Sequence, residues 1–219
     1  GNVTFACAET VSVAVTFPGP QSFLQFPWTT LSSSESMSIG FQFRTWNKAG
    51  LLLTFDLPQQ VGVAWLFLSE ARLCLQIQKG GRVLLGLSAG SALSDGQWHS
   101  VELNSRQSRL TVSVDKDEGA SAQASLSFPV TVESHLFFGG CPAGDSQGCR
   151  NHFNAFQGCM RLFSLDNRVM DLIAVQKKLL GNYSNLQIDV CGIIDRTILL
   201  MVLLEVMGQK IADGIAPDQ

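Results

Sequence analysis

Three histidines, six cysteines and a short acidic run are the residues whose chemistry could go beyond packing. A hydrolytic triad would need His99, His135 or His152 as its base, with a nucleophile and an orienting acid beside it. None of the three lies in a local nucleophile signature. His99 alternates in phase with Val101 and Leu103, so it is expected as a packed, hydrogen-bonded core histidine. His135 opens a strand pattern, and His152 sits in a cysteine-flanked loop. Cys141, Cys149, His152 and Cys159 could be drawn around zinc, but their separations match none of the short paired spacings by which chains hold that ion. Asp115, Asp117 and Glu118 could supply a metal site or a glycosidic carboxylate pair. Their setting after a strand, KDEGAS, is that of a solvated hairpin loop. Lys177-Lys178 is a single basic pair and reads as solvated surface. No enzyme is expected.

The remaining bulk features narrow the class of protein. Fifteen basic and 18 acidic residues, spread along 219 positions for a formal charge of -3, make no field for nucleic acid or an anionic membrane. Cys7, Cys74, Cys141, Cys149, Cys159 and Cys191 at irregular separations favour disulfides. Two sequons, Asn2-Val3-Thr4 and Asn182-Tyr183-Ser184, agree with a secretory route and mark Asn2 and Asn182 as glycan acceptors. The chain opens without Met or a basic stretch ahead of an apolar segment, so a signal peptide is expected to be removed or to lie upstream.

The elements that must position these residues are strands. Val11, Val13, Val15 and Phe17 alternate with small and polar residues, and Met37, Ile39, Phe41 and Phe43 repeat the pattern. Further runs are 51–55, 63–68, 72–78, 82–87, 98–103, 109–114 and 135–138. Gly80-Gly81 suits a two-residue hairpin turn, and Asp95-Gly96 marks another tight turn before Trp98. Many short strands with almost no helical periodicity indicate an all-β sandwich of two packed antiparallel sheets. One helix is expected over residues 172–180, capped by Asp171 and stopped by Gly181. The apolar run Thr197 to Leu204 is far shorter than the roughly 20 residues of a membrane span. Residues 1–196 are therefore expected as one domain, and 197–219 as an apolar then polar tail outside it.

Four ordered blocks carry a family resemblance. They are Gly50-Leu51-Leu52-Leu53, Asp95-Gly96-Gln97-Trp98-His99-Ser100-Val101, Leu136-Phe137-Phe138-Gly139-Gly140, and Phe156-Gln157-Gly158-Cys159-Met160-Arg161. Together they resemble laminin G-like domains over about residues 3 to 196. Phe41 to Lys48, the block from Cys141 to Cys159, and Gly181-Asn182-Tyr183-Ser184 before Cys191 are similar to a neurexin-like group, the contactin-associated proteins, and most of all to their second such domain.

That resemblance implies a jelly-roll-like sandwich of two curved sheets in the extracellular part of a single-pass neuronal adhesion protein. Such modules bind through loops at the sandwich rim, here to protein partners such as contactin-type immunoglobulin adhesion molecules. A glycan-binding, lectin-like domain is the alternative. The resemblance also implies a Cys159–Cys191 disulfide. Cys141 with Cys149 is a possible local pair, Cys7 an alternative partner for either, and Cys74 a free thiol. Many relatives hold calcium at the rim through an acidic residue just before the 63–68 strand, where this chain has Gly62. A second acidic ligand is expected before His135, and Ala120 to Val132 contains no Asp, Glu or Asn. No cofactor and no strong calcium site are expected. After Arg196 the group continues into a cysteine-rich module resembling epidermal growth factor, and this chain instead enters its apolar tail.

Overall fold

The structure, a computed structural model, describes residues 12–29, 36–142, 154–193 and 196–212. In chain order the strands are β1 (Ala14–Phe17), β2 (Phe23–Pro27), β3 (Ser36–Arg44), β4 (Gly50–Asp56) and β5 (Val63–Ser69). Next come β6 (Arg72–Lys79), β7 (Arg82–Ala89), β8 (His99–Arg106), β9 (Arg109–Val114) and β10 (Ser121–Ser125). The last are β11 (His135–Phe138), β12 (Gly158–Leu165), β13 (Arg168–Val169), β14 (Asn182–Ser184) and β15 (Gln187–Asp189), with helices α1 (Leu172–Gln176) and α2 (Arg196–Ala212).

The strands form two sheets with antiparallel pairings. One runs β10, β9, β8, β3, β12, β1, β15, with β13 appended to β12, and the other runs β14, β2, β11, β4, β5, β6, β7. Period-2 alternation explains the strands it was read from. In β3, Met37, Ile39, Phe41 and Phe43 are buried while Gln42 and Arg44 lie on the outer face. At the centre of the core, rings from both sheets meet: Phe138 of β11 lies 4.8 Å from Phe163 of β12 and 5.4 Å from Phe41 of β3. Phe26 of β2 joins them at 5.9 Å from Phe138 and 5.7 Å from Phe163.

A second apolar layer covers the outer face of the other sheet. Leu51, Trp65 and Phe67 are buried there, with Val63, Cys74 and Cys141 packed against them. Burial on both faces explains why β4 reads as a continuous apolar run. The Gly80-Gly81 turn joins β6 to β7 as expected, with φ of 58° and 77°.

Several elements depart from the sequence reading. The strand β12 was missed because its alternation breaks: a bulge between Arg161 and Ser164 turns Leu162 outward at φ 54° and keeps both Met160 and Phe163 inside. The strand β10 was missed because its SAQAS sequence carries no large apolar residue. The expected helix over 172–180 is shorter, ending at Gln176. Asp171 does cap it, accepting from the amides of Ile173 and Ala174, but only Leu172 and Val175 are buried. Lys178 then takes a φ of 59° and Leu179 is left exposed, so the chain has no second apolar turn to continue on.

The tail contains a helix that the sequence reading did not anticipate. Leu, Met and Glu favour helix, and every α2 side chain whose burial is described is exposed, including Met201, Leu203, Leu204, Val206 and Met207. No helix among the described residues is long and apolar enough to cross a membrane. Removing residues 197–219 is expected to leave the unfolding midpoint within about two degrees in calorimetry, and to raise soluble yield. A fall of ten degrees or more, about what several lost kcal/mol would give, would place the tail in the core.

Candidate functional site

The first candidate is a groove at the rim where the β4–β5 loop, the β6–β7 turn and the approach to β11 converge. It encloses about 360 Å³, and Asp56, Gln60, Gly62, Gln78, Lys79 and Glu133 are among its walls. Backbone bonds fix its frame. The Leu57 amide donates to Gly62 O at 3.0 Å, and the Glu133 amide donates to Asp56 O at 2.9 Å. Between them Pro58 opens a single 3-10 turn, and Gln59 and Gln60 follow at φ 59° and 55°, both exposed. The same pair of left-handed residues occurs at the Glu70-Ala71, Asp115-Lys116 and Asp166-Asn167 turns, and here it leaves two amide side chains exposed at the rim.

The donors at this rim fit calcium poorly. A Cβ at position 62 would stand 2.8 Å from Gln78 O, so the backbone leaves no room for an acidic side chain where the family places one. Asp56 and Glu133 remain, with the Lys79 ammonium in the same groove. A hard cation asks for six to eight oxygens, and no metal-ligating cluster of three His, Cys, Asp or Glu occurs among the described residues. Glu133 directly follows the acid-free stretch Ala120 to Val132.

The second candidate is built by the Asp95 to His99 segment at the Arg44 end of β3. His99 is hydrogen-bonded as expected, but it is half-buried at the sheet end, bridging two acids, and does not sit in the core. Its Nδ1 lies 2.7 Å from Asp115 Oδ2 and its Nε2 2.8 Å from Asp95 Oδ1, with the ring 5.8 Å from that of Phe43. Asp115 also accepts from the Ser100 amide at 2.8 Å, and Asp95 accepts from the Gln97 amide at 3.0 Å. Asp117 caps the turn at Glu118–Ala120 by accepting from the Gly119 amide. Two of the three acids once weighed as a carboxylate site thus hold the hairpin and the histidine in place.

Gly96 is required by its neighbours. It takes φ 72°, and a Cβ there would fall 2.2 Å from the Trp46 ring. Its amide donates to Thr45 O, and its carbonyl accepts from Arg44 Nε. Trp98 lies under Arg161, whose guanidinium carbon stands 4.0 Å from the ring centroid. The block that looked most like a chemical signature therefore builds a turn, and neither ring nitrogen of His99 meets a hydroxyl or thiol.

The other sequence-predicted positions fall as follows. Cys159 and Cys191 are joined, with S–S 2.05 Å and Cα atoms 5.8 Å apart, tying β12 to the segment after β15. Cys141 is disulfide-bonded; Cys7 and Cys149 lie outside the described residues. Cys74 is a free, half-buried thiol. Asn182 is exposed on the edge strand β14. Asn2 and His152 lie outside the described residues.

With this geometry in place, the fold and its defining turn assign the chain to a class: residues 43–168 match the family model of the laminin G domain, and the chain belongs to that family. Among curated proteins it is similar to contactin-associated protein 1 of Mus musculus, at 36% identity over 197 residues. The match takes in 90% of this chain and only 14% of that protein's length. Domains LG4-5 of the mouse laminin alpha1 chain share the fold at TM-score 0.64 and 23% identity, over 80% of this chain and 46% of that one. The LG1-3 region of the laminin alpha2 chain does so at TM-score 0.65 and 15% identity, over 81% of this chain and 34% of that one.

The histidine clamp sets a pH dependence. Burial disfavours the imidazolium, but the hydrogen bonds and charges of Asp115 and Asp95 outweigh it, and His99 titrates above its ordinary 6.5. Burial would likewise raise Asp95, and the bond to His99 outweighs it, so Asp95 titrates below 3.8. Because the folded pKa of His99 is raised, its stabilisation is full below pH 6.5 and is lost as pH rises through the folded value. Urea unfolding at about pH 6 and about pH 9 should therefore show a larger loss of midpoint in the native chain than in His99→Gln. Equal losses in the two would mean that the clamp carries no proton-linked stability.

Proposed function

We propose that this chain is an extracellular recognition module of a neuronal, neurexin-like surface protein, and that it binds protein partners through its rim loops. The observation that carries the proposal is the 36% identity to contactin-associated protein 1 across 90% of the chain. The name of that relative makes contactin-type immunoglobulin adhesion molecules the partner class to test. Loops set on a rigid two-sheet scaffold are where binding residues concentrate, and the outward Gln59 and Gln60 suit that role. The mechanism is recognition without chemistry, needing no cofactor and no strong calcium site. The anchor of a single-pass membrane protein is assigned to the longer parent chain. A glycan-binding role has only the shared sandwich behind it.

Surface plasmon resonance against a contactin-type ectodomain is expected to show saturable binding that persists in a chelator of divalent cations. Replacing Gln59 and Gln60 together by Ala should weaken it by about tenfold, equivalent to ~1.4 kcal/mol. No binding at high micromolar concentration, or loss of binding on chelation, would contradict the rim reading.

Asn182 is proposed as a glycan acceptor, since it is exposed at a sheet edge within an intact sequon. Domain secreted from mammalian cells should lose mass on enzymatic deglycosylation, and Asn182→Gln should remove that loss at its peptide. An unmodified Asn182 peptide in the secreted protein would refute this.

A further inference from the structure

Arg44 and Arg161 share the outer face of the β10-to-β15 sheet. In register, Gln42 of β3 pairs with Ser100 of β8 on one side and with Arg161 of β12 on the other. Arg44 is two residues along the same face, opposite Cys159. Adjacent strands stand about 4.8 Å apart, so the two guanidiniums are diagonal neighbours.

Each arginine is anchored through its inner nitrogen alone. Arg44 Nε donates to Gly96 O, and Arg161 Nε donates to Gln42 Oε1 at 2.8 Å while its plane lies 4.0 Å over Trp98. Neither makes an ion pair among the described residues, and the terminal nitrogens of both have no hydrogen-bond partner there. Burial, and then the Arg44 charge, pull Arg161 below its ordinary pKa. Two cations that repel each other are thus held half-buried and orientated, with no carboxylate of the described residues between them. A guanidinium fixed at Nε and by stacking keeps its outer N–H groups for a planar anion.

From this geometry we infer that Arg44 and Arg161, backed by Trp98, form a binding site for a carboxylate side chain, Asp or Glu, of a protein partner. The surroundings decide for a single protein carboxylate over a sulfated glycan. Along the same face the next side chains are Ser100 and Glu102, the latter an acid that would repel a repeating polyanion. A sulfated chain needs a continuous line of cations, and the next arginines of this face, Arg106 and Arg109, stand at its far end beyond Glu102 and Asn104. The site is separate from the rim groove, and its failure leaves the rim reading intact.

The test is a 15N nuclear magnetic resonance titration of the whole chain at low salt with a capped Gly-Glu-Gly peptide, its Gln counterpart and a heparin-derived oligosaccharide. The Glu peptide should shift the Trp98 indole and the Arg44 and Arg161 Nε resonances saturably, and the Gln peptide should not. Arg161→Gln should weaken the response by about tenfold or more, and Arg161→Lys, which keeps the charge but loses the planar fork, by an intermediate factor. The Gln59/Gln60 double variant should respond like the native chain. Equal shifts from the Glu and Gln peptides, or an undiminished response in a folded Arg161→Gln or Arg161→Lys variant, would overturn the site. A stronger response of these resonances to the oligosaccharide would overturn its assignment to a protein carboxylate.

Discussion

The contact among Phe26, Phe41, Phe138 and Phe163 sets how the two sheets face each other, and the loops inherit their positions from it. Two of these rings come from each sheet, and most of the pairs approach edge to face. That geometry adds favourable quadrupole contact to the burial of large apolar surfaces. Truncating such a ring typically costs about 3 to 5 kcal/mol, a large share of a marginal stability. If the rings fix the spacing, the ends of β4, β5 and β11 meet where they do, and the rim groove follows.

Much of the fold was legible because half-buried strands announce themselves by period. In β3 every second residue from Met37 to Phe43 is apolar, and each is buried as read. Period gives no sign where the chain itself breaks it, as at Leu162, or where a strand is held by backbone pairing with little apolar burial, as in β10. The helix α1 was placed at the right start because a cap is local chemistry. Its end was misread because Leu179 keeps helical spacing while pointing away from the core, and spacing alone does not say where the core is.

The candidate site was legible to a smaller extent. His99 was assigned to the core from the phase of Val101 and Leu103, but the rim acids that hold it lie four residues before and 16 residues after it, the second across a hairpin. Asp95, Gly96, Trp98 and His99 form the strongest family block in the sequence, and their work is architectural: a pinned turn, a glycine beneath Trp46, and a ring beneath Arg161. Gln59 and Gln60 carry no signal in sequence, because they read as ordinary loop residues until the fold exposes them in the turn beside the rim groove. The Arg44–Arg161 pair was also invisible, as 117 residues separate its members and a β-pairing brings them together.

A rigid sandwich that recognises a protein partner through its rim should change its backbone protection there and not in its core. Hydrogen exchange of the chain, free and bound to a contactin-type ectodomain, measures this directly because it reports protection along the whole backbone. Slowed exchange is expected in residues 57–62, 79–81 and 132–134, with the central strands β4, β5 and β11 unchanged in their slow exchange. Protection centred on the edge strands β7 and β10, with the rim loops unaffected, would contradict it.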